Sequence, residues 1–568
     1  MNSLLLTILA LLGYIVAYRL YGRYLGSRLF RLSNSNPMPS HTFQDGIDYV
    51  PAKKNIIFGH HFTTIAGLGP IAGPAIGIIW GWLPAFIWIF LGSIFMGAVH
   101  DFTTLVVSAR NEGKTIGELT GKMISSEARI SFQLIMQLLL FIVLAVFAAI
   151  VSTLFIMYPE AVVPVWLQIP IAVWLGIQIR RGKNDLIYSI IALVMMYATI
   201  LLGVYIPVSL PFEYETAVVI WCLILFIYVF IASTLPVHKL LQPRDYINSH
   251  QLIVAMALMV LGLFIAHPTI SAPAVNDLAF QDGSDIPSMA PVLFIVIACG
   301  AISGFHSLAS SGTTVKQVDK EKDSVFIGYG GMLTESFLAI LVLMAIGGGL
   351  GMGMEHEGRI LTGSDAFYQH YSSWASASGL GAKLGAFVTG TANLFGSFGI
   401  PPGIGTSIIA VFIVSFANTT LDSAARIQRL SLQELMRNKH GKTIKPLDNR
   451  YVSTFIIVLA AAIMTFIRPG GQGAMVLWPL FGSLNQLLAA LALGVVSIYL
   501  HVKNKNLLYT LVPMLFVLVI TLWAMFENLF RYFDDRDYVL VVLSVLIIIF
   551  TVILLFTGTK ALIKKISV

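Results

Sequence analysis

The sequence predicts an all-α polytopic integral membrane protein, with about fifteen crossings, one re-entrant segment and helices broken inside the bilayer. Three observations carry this prediction. The 568-residue chain is 57% hydrophobic and 11% charged, with a mean hydropathy of +0.83, well outside the usage of soluble domains. Its apolar residues fall into sixteen runs of roughly 17 to 25 residues, the length a bilayer requires. Lys and Arg collect in alternate connections between those runs, as the positive-inside rule demands.

The first run, 2–20, is followed rather than preceded by its positive charges Arg19, Arg23 and Arg28, so it reads as a retained span and not as a signal peptide. The next runs are 62–79, 83–107, 131–157, 162–179, 185–207, 217–235, 250–267 and 289–306. Seven more follow at 326–349, 383–398, 403–421, 451–467, 473–499, 507–526 and 538–557. Long connections lie at 268–288, 350–380 and 426–450. With the N-terminus outside, 30 of the 35 Lys and Arg lie in cytoplasmic connections, and only Arg359, Lys383, Arg468, Arg531 and Arg536 lie on the other side.

That count holds, with the C-terminus cytoplasmic, only if one of the segments 383–398 and 403–421 fails to cross. The piece 383–402, with GTANLFGSFGIPPG, is the expected re-entrant one. A tight turn between two packed helices is the alternative.

Composition also limits the function classes. The two cysteines, Cys222 and Cys299, sit inside apolar runs, which leaves no disulfide framework and no cysteine metal site. No GxxxxGK[ST] and no GxGxxG in a strand-to-helix context occurs, which argues against ATP-driven transport by this chain. The +7 net charge is dispersed among short connections and reads as a topology signal.

The motif GHHFTTIAGLGPIAGP, ending at Pro74, places His60, His61, Gly67, Gly69, Pro70 and Gly73 where an unbroken helix is disfavoured. Backbone freed there must be satisfied by protein, water or ligand, and such breaks are where many transporters hold solutes. The segment CGAISGFHSLASSGTT repeats the pattern, with Ser303, Gly304, His306, Ser310 and Ser311; close helix packing is the structural alternative. In LWPLFGSLNQLLAA, Asn485 interrupts a late span.

Three acids lie at membrane depth, Asp101, Glu335 and Asp422, where an unpaired charge is costly. His100 beside Asp101, together with Glu335, is a candidate set for ion coupling. Asp422 and Arg426, four residues apart, are expected to pair on one helix face, either as a structural ion pair or as an inner gate. Each broken segment precedes a span carrying a buried acid, which suits an inverted repeat.

Together the words YVPAKKNIIFGHHFTTIAGLGPIAGP, GAVHDF with SARNEGKTIGE, ACGAISGFHSLASSGTT, IVSFANTTLDSAARIQR and LWPLFGSLNQLLAA resemble the carbon starvation protein A (CstA) family of bacterial inner-membrane transporters, from about Tyr49 to Leu500. The resemblance implies nutrient uptake under carbon limitation, with peptides or pyruvate as substrates, proton-coupled secondary transport, and a distant relation to LeuT-like broken-helix transporters. It also implies a CstA N-terminal region over 1–380 and a C-terminal five-helix region over 381–505, leaving 506–568 as two terminal helices.

The expected function is therefore import of a small carboxylate-bearing nutrient, pyruvate or a short peptide, with a proton as coupling ion and no cofactor, metal or nucleic acid. Without an arginine at that depth, the carboxylate is expected to meet backbone N–H groups of a half-helix starting near Gly73, hydroxyls and protonated His60 or His61. The rivals are an intramembrane metalloenzyme using His60, His61, His100 and Asp101, and a passive channel.

Overall fold

The computed structural model describes residues 1–437 and 444–563. The middle of the basic connection 426–450 and the end of the basic segment 560–565 lie outside the described residues. Each of the sixteen apolar runs contains helix, and two of them, 62–79 and 289–306, are interrupted. In chain order the principal helices are α1 (Ser3–Phe30), α2 (Lys54–Ile65), α3 (Gly69–Gly77), α4 (Trp82–Ala109), α5 (Ser126–Met157), α6 (Pro159–Arg180), α7 (Asp185–Tyr205), α8 (Tyr214–Thr234) and α9 (Leu241–Ala266). After them come α10 (Met289–Val296), α11 (Ala298–Ala301), α12 (Gly304–Gly312), α13 (Glu321–Met352), α14 (Leu380–Gly396), α15 (Pro402–Leu435), α16 (Arg450–Phe466), α17 (Pro469–Val502), α18 (Leu508–Asp534) and α19 (Tyr538–Ile563).

Twelve of these are long and apolar enough to cross a membrane, and the bent pair α2/α3 makes up to thirteen among the described residues. That corrects the expectation of about fifteen crossings. The difference lies in particular segments: 289–312 is divided into three short helices, while α14 and α16 have only 17 residues each. The one bent pair is at 65–69 and not at 383–402, where α14 turns through Ser397–Pro401 into the 34-residue α15.

Between α2 and α3 the chain leaves the helix at Ala66–Leu68 and bends by 45°. Helix resumes at Gly69, four residues earlier than expected, because Pro70 falls in the first turn, where a missing N–H costs nothing. In the second broken segment, Ile302 and Ser303 are fully extended before α12 begins.

Glycine spacing brings the two broken segments together. Gly69, Gly73 and Gly77 recur every fourth residue on one face of α3, and a side chain on any of them would collide with 296–299: Gly69 with Cys299, Gly73 with the Val296 carbonyl oxygen at 2.6 Å, Gly77 with Ile297. These glycines let helix approach helix, as small residues do in membranes. Gly67 is likewise closed off, its Cβ position lying 2.7 Å from Thr420 Oγ1.

The two acid-bearing helices pack crosswise on these pieces, α13 against α3 and α4 against α12. Each carries a π-helical turn shortly before its acid, Ser93–Gly97 before Asp101 and Val325–Tyr329 before Glu335, the wide turns that recur at functional sites. Helices from all three sequence divisions share one bundle, with α14 on α3 and α17 on α12.

Filling the contact between α3 and α10–α11 should unfold the core. Gly73→Leu is expected to cost about 3 kcal/mol or more by overpacking, whereas Gly385→Ala, whose Cβ position has nothing within 4 Å, should be neutral. Thermal melts of detergent-solubilised protein followed by size-exclusion chromatography measure both.

Candidate functional site

Four titratable side chains form a chain through the core. His100 Nδ1 lies 2.8 Å from Asp101 Oδ1, the other carboxylate oxygen of Asp101 lies 2.9 Å from His306 Nδ1, and His306 Nε2 lies 3.3 Å from Glu335 Oε2. All four are fully buried. The chain ties α4, α12 and α13 at the point where the second broken segment resumes its helix. Nε2 of His100 and of His306 and both Glu335 oxygens carry no hydrogen bond among the described residues. Open valences of this kind inside a bilayer are what proton transfer requires.

His61 stands beside this chain, its Nδ1 3.0 Å from Thr314 Oγ1 and its ring against Gly331 on α13. His60 turns to a second cluster, with Nδ1 2.6 Å from Asp245 Oδ2. Arg244, in the first turn of α9, donates to Asp422, to Tyr228 and, at 3.4 Å, to Asp245. Both Arg244 and Asp245 are buried.

The expected Asp422–Arg426 pair is therefore not formed. Asp422 is neutralised by Arg244, and Arg426 instead reaches Asp48 at 2.7 Å and the Leu235 carbonyl. The expectation that no arginine reaches this depth is corrected by the same residues, and Asp245 joins the buried acids.

Asp48, in the connection before α2, also accepts from Arg429 at 3.1 Å. The connection is strapped down by backbone bonds from Val50 to the Lys316 carbonyl and from Ala52 to that of Gln317. Burial alone would raise the Asp48 carboxyl, but Arg426 foremost, then Arg429 and Lys316, hold it well below the usual carboxylate range. This basic–acidic contact ties the connection before α2 to α15.

A cavity of about 340 Å³ lies on the other side of the breaks, lined by Gly69 and Gly73 of α3, Cys299 of α11, Asn485 and Trp478 of α17, and Lys383 of α14. Its size suits a small solute. At its inner end Asn485 Oδ1 accepts from the Phe305 backbone N–H at 2.8 Å and lies 3.1 Å from Ser303 Oγ, so Asn485 satisfies the exposed start of α12.

Of the residues expected to bind substrate, Gly69, Gly73 and Asn485 thus border the cavity and Ser303 touches it through Asn485. Pro70 and Gly304 are packed in the core, the latter against the Asn485 carbonyl. Ser310 Oγ is buried with no partner among the described residues, and Ser311 Oγ accepts from the Ile116 backbone N–H at 3.1 Å. His306 sits between Asp101 and Glu335, away from the cavity lining. Among the described residues no three of His, Cys, Asp and Glu gather as a metal site; His60, His61 and Asp101 face different partners.

The "Carbon starvation protein CstA" family profile matches residues 2–524. The chain belongs to the CstA family. It is a transporter-family protein and not an enzyme. Among its relatives, the "Peptide transporter CstA" of Escherichia coli (strain K12) is 33% identical over 93% of this chain and 81% of the relative. The "Pyruvate/proton symporter BtsT" of the same organism is 32% identical over 93% and 82%, and the "Peptide transporter CstA" of Bacillus subtilis (strain 168) is 28% identical over 99% and 97%. In fold the chain is similar to MhsT, crystallised in complex with L-phenylalanine, with a TM-score of 0.50, 13% identity and coverage of 84% of this chain and 99% of that one. That likeness is one of fold.

Arg244 and Asp245 were hidden from sequence reading because LQPRDYINSH precedes an apolar run and looks like a loop. The available signal was the adjacency of two opposite charges directly before a long span.

A pH-dependent loss of stability should follow from Asp48. Its folded-state pKa is depressed, so its stabilisation is full above the unfolded carboxylate pKa of about 3.9 and is lost as pH falls below that value. Asp48→Asn is expected to lower the thermal midpoint at pH 7, and the gap from wild type should hold down to about pH 4 and shrink as melts are repeated below it.

Proposed function

We propose that the chain is a secondary active transporter that imports a small carboxylate-bearing nutrient, pyruvate or a short peptide, driven by protons across the bacterial inner membrane. The observation that carries this reading is the His100–Asp101–His306–Glu335 chain, which lies at the helix break bordering the cavity. Asp101 and Glu335 are the proton-holding groups, with the two histidines as the links between and beside them. Gly69, Gly73, Ser303 and Asn485 shape the solute end of the site, while His60, His61, Ser310 and Ser311 hold the broken helices around it. The names of the two Escherichia coli relatives supply the two substrate classes and, in one case, the proton.

The N-terminus is outside and the C-terminus cytoplasmic in this reading. The Asp48–Arg426–Arg429 contact then closes the cytoplasmic face, and Asp422 with Arg244 stands behind it, so that the inner gate is made by two separate ion pairs. The cavity opens on the outer face, as befits a loading state. A closed face opposite an open cavity favours alternating access over a passive channel. The crosswise packing of α4 and α13, each following a broken segment, supports an inverted repeat relating 54–109 to 289–352.

In this reading α14 belongs to the outer face. Trp374 just before it packs at a tilt against Trp80, with centroids 5.6 Å apart, and Asn393 near its end donates to the carbonyls of Gly349 and Gly353. Trp80 and Gly347 are joined through the 271–276 connection, so both ends of α14 meet one set of loops. The segment 380–396 then lies along the outer face without crossing, as the charge asymmetry requires of one of the segments 383–398 and 403–421.

Uptake of labelled pyruvate and of a labelled dipeptide into proteoliposomes, at two pH values and with or without sodium, tests the reading. Inward accumulation of at least one solute that rises with an imposed inward proton gradient is expected. Glu335→Gln and Asp101→Asn should each reduce that accumulation by about 5- to 150-fold, the usual span of a coupling free energy, while solute exchange persists. Full accumulation in both variants would remove the two acids from the coupling role.

A further inference from the structure

The cavity wall contains one buried cation that the protein leaves without a counter-ion. Lys383, in the first turn of α14, is only 8% exposed. Among the described residues its ammonium has no carboxylate and no hydrogen-bond partner. Its Nζ lies 5.9 Å from the centroid of the Trp478 ring. That ring is itself fixed by stacking on Phe481, centroids 5.4 Å apart and planes at 16°.

Burying an ammonium costs more than a ring face at such a site returns. The imbalance is resolved if an anion enters the cavity. The other charges on the wall are already engaged near its mouth: Glu527 accepts from Trp523 Nε1 at 2.6 Å, and Arg531 donates to Asn528 at 3.0 Å. Lys383 alone is buried, charged and uncommitted.

We infer that Lys383 is the carboxylate anchor of the transported solute. Its ammonium binds the carboxylate of a small organic acid or short peptide, and Trp478 lies against the carbon skeleton beside that group. Gly69 and Gly73, whose Cβ positions are filled by the contact with 296–299, border the same cavity. The inference rests on the import reading above and replaces the half-helix dipole as the main source of positive charge for the substrate.

Full-length protein in detergent, titrated with pyruvate, dialanine and the neutral control pyruvamide while tryptophan fluorescence is followed, tests the anchor directly. Wild type is expected to bind the two carboxylates and to bind pyruvamide weakly. Lys383→Met should weaken carboxylate binding by about tenfold or more, as loss of a charge-assisted hydrogen bond does, and leave pyruvamide binding as it was. Lys383→Arg should stay within about threefold of wild type, since the charge is retained. If the Met variant does not fold, Lys383→Gln takes its place.

In proteoliposomes the same loss should appear as a raised half-saturating concentration with the maximal rate largely kept. A folded Lys383→Met protein that binds both carboxylates like wild type overturns the anchor and leaves Lys383 a packing partner of Trp478. Carboxylate binding by wild type without accumulation would instead sink the import reading and keep the anchor. Wild type that binds neither carboxylate overturns both.

Discussion

The architecture depends on one constraint: backbone that leaves the helix inside an apolar medium must be given partners by the rest of the protein. Two segments of this chain break, at 66–68 and at 302–303, and each break is supported by side chains from distant helices. Asn485 accepts from the Phe305 N–H, and its amide group meets Ser303 and Cys299. The first break is closed over by Thr420 and, through Gly73, by the backbone of 296–297. Each broken segment is thus part of the other's environment, which is why neither can be understood from its own residues alone.

Burial of charge follows from that arrangement. Polar side chains drawn in to serve the breaks create an interior where ions have local partners, and the protein separates them into two systems. Around Arg244 a permanent cation meets two acids, Asp245 and Asp422, with Tyr228 and His60 completing the hydrogen bonding. Around His306 the chain has two acids and no permanent cation. The first arrangement suits holding helices together, and the second suits gaining and losing a proton.

Much of the second system was legible in the sequence because an acid inside an apolar run is too costly to keep there without a use. Asp101, Glu335 and the histidines stand out against their neighbours, and the two Gly- and Pro-bearing motifs announce interruptions. The Arg244 system was not legible for two reasons. Its charges precede a hydrophobic run, so a hydropathy window assigns them to a connection, and the partner of Arg244 lies 178 positions away. Spacing of four residues suggested Asp422 with Arg426, but local periodicity cannot reveal a competitor arriving from another helix. Lys383 was visible only as one of five outlying positive charges; its solitude is a property of the folded cavity. The helix number was overestimated for a related reason, since 289–312 is apolar enough to cross yet is divided by its own extended residues.

The position of His306 has a mechanical meaning. Its imidazole stands three residues past the extended Ser303, with a ring nitrogen toward each of two acids on different helices. Any rewinding or further unwinding of that stretch swings the ring, and a rigid five-membered ring cannot approach one carboxylate without changing its distance to the other. The fold therefore works like a lever with its fulcrum at the extended residues: a shift of that stretch of backbone and a change in where the ring points are the same movement.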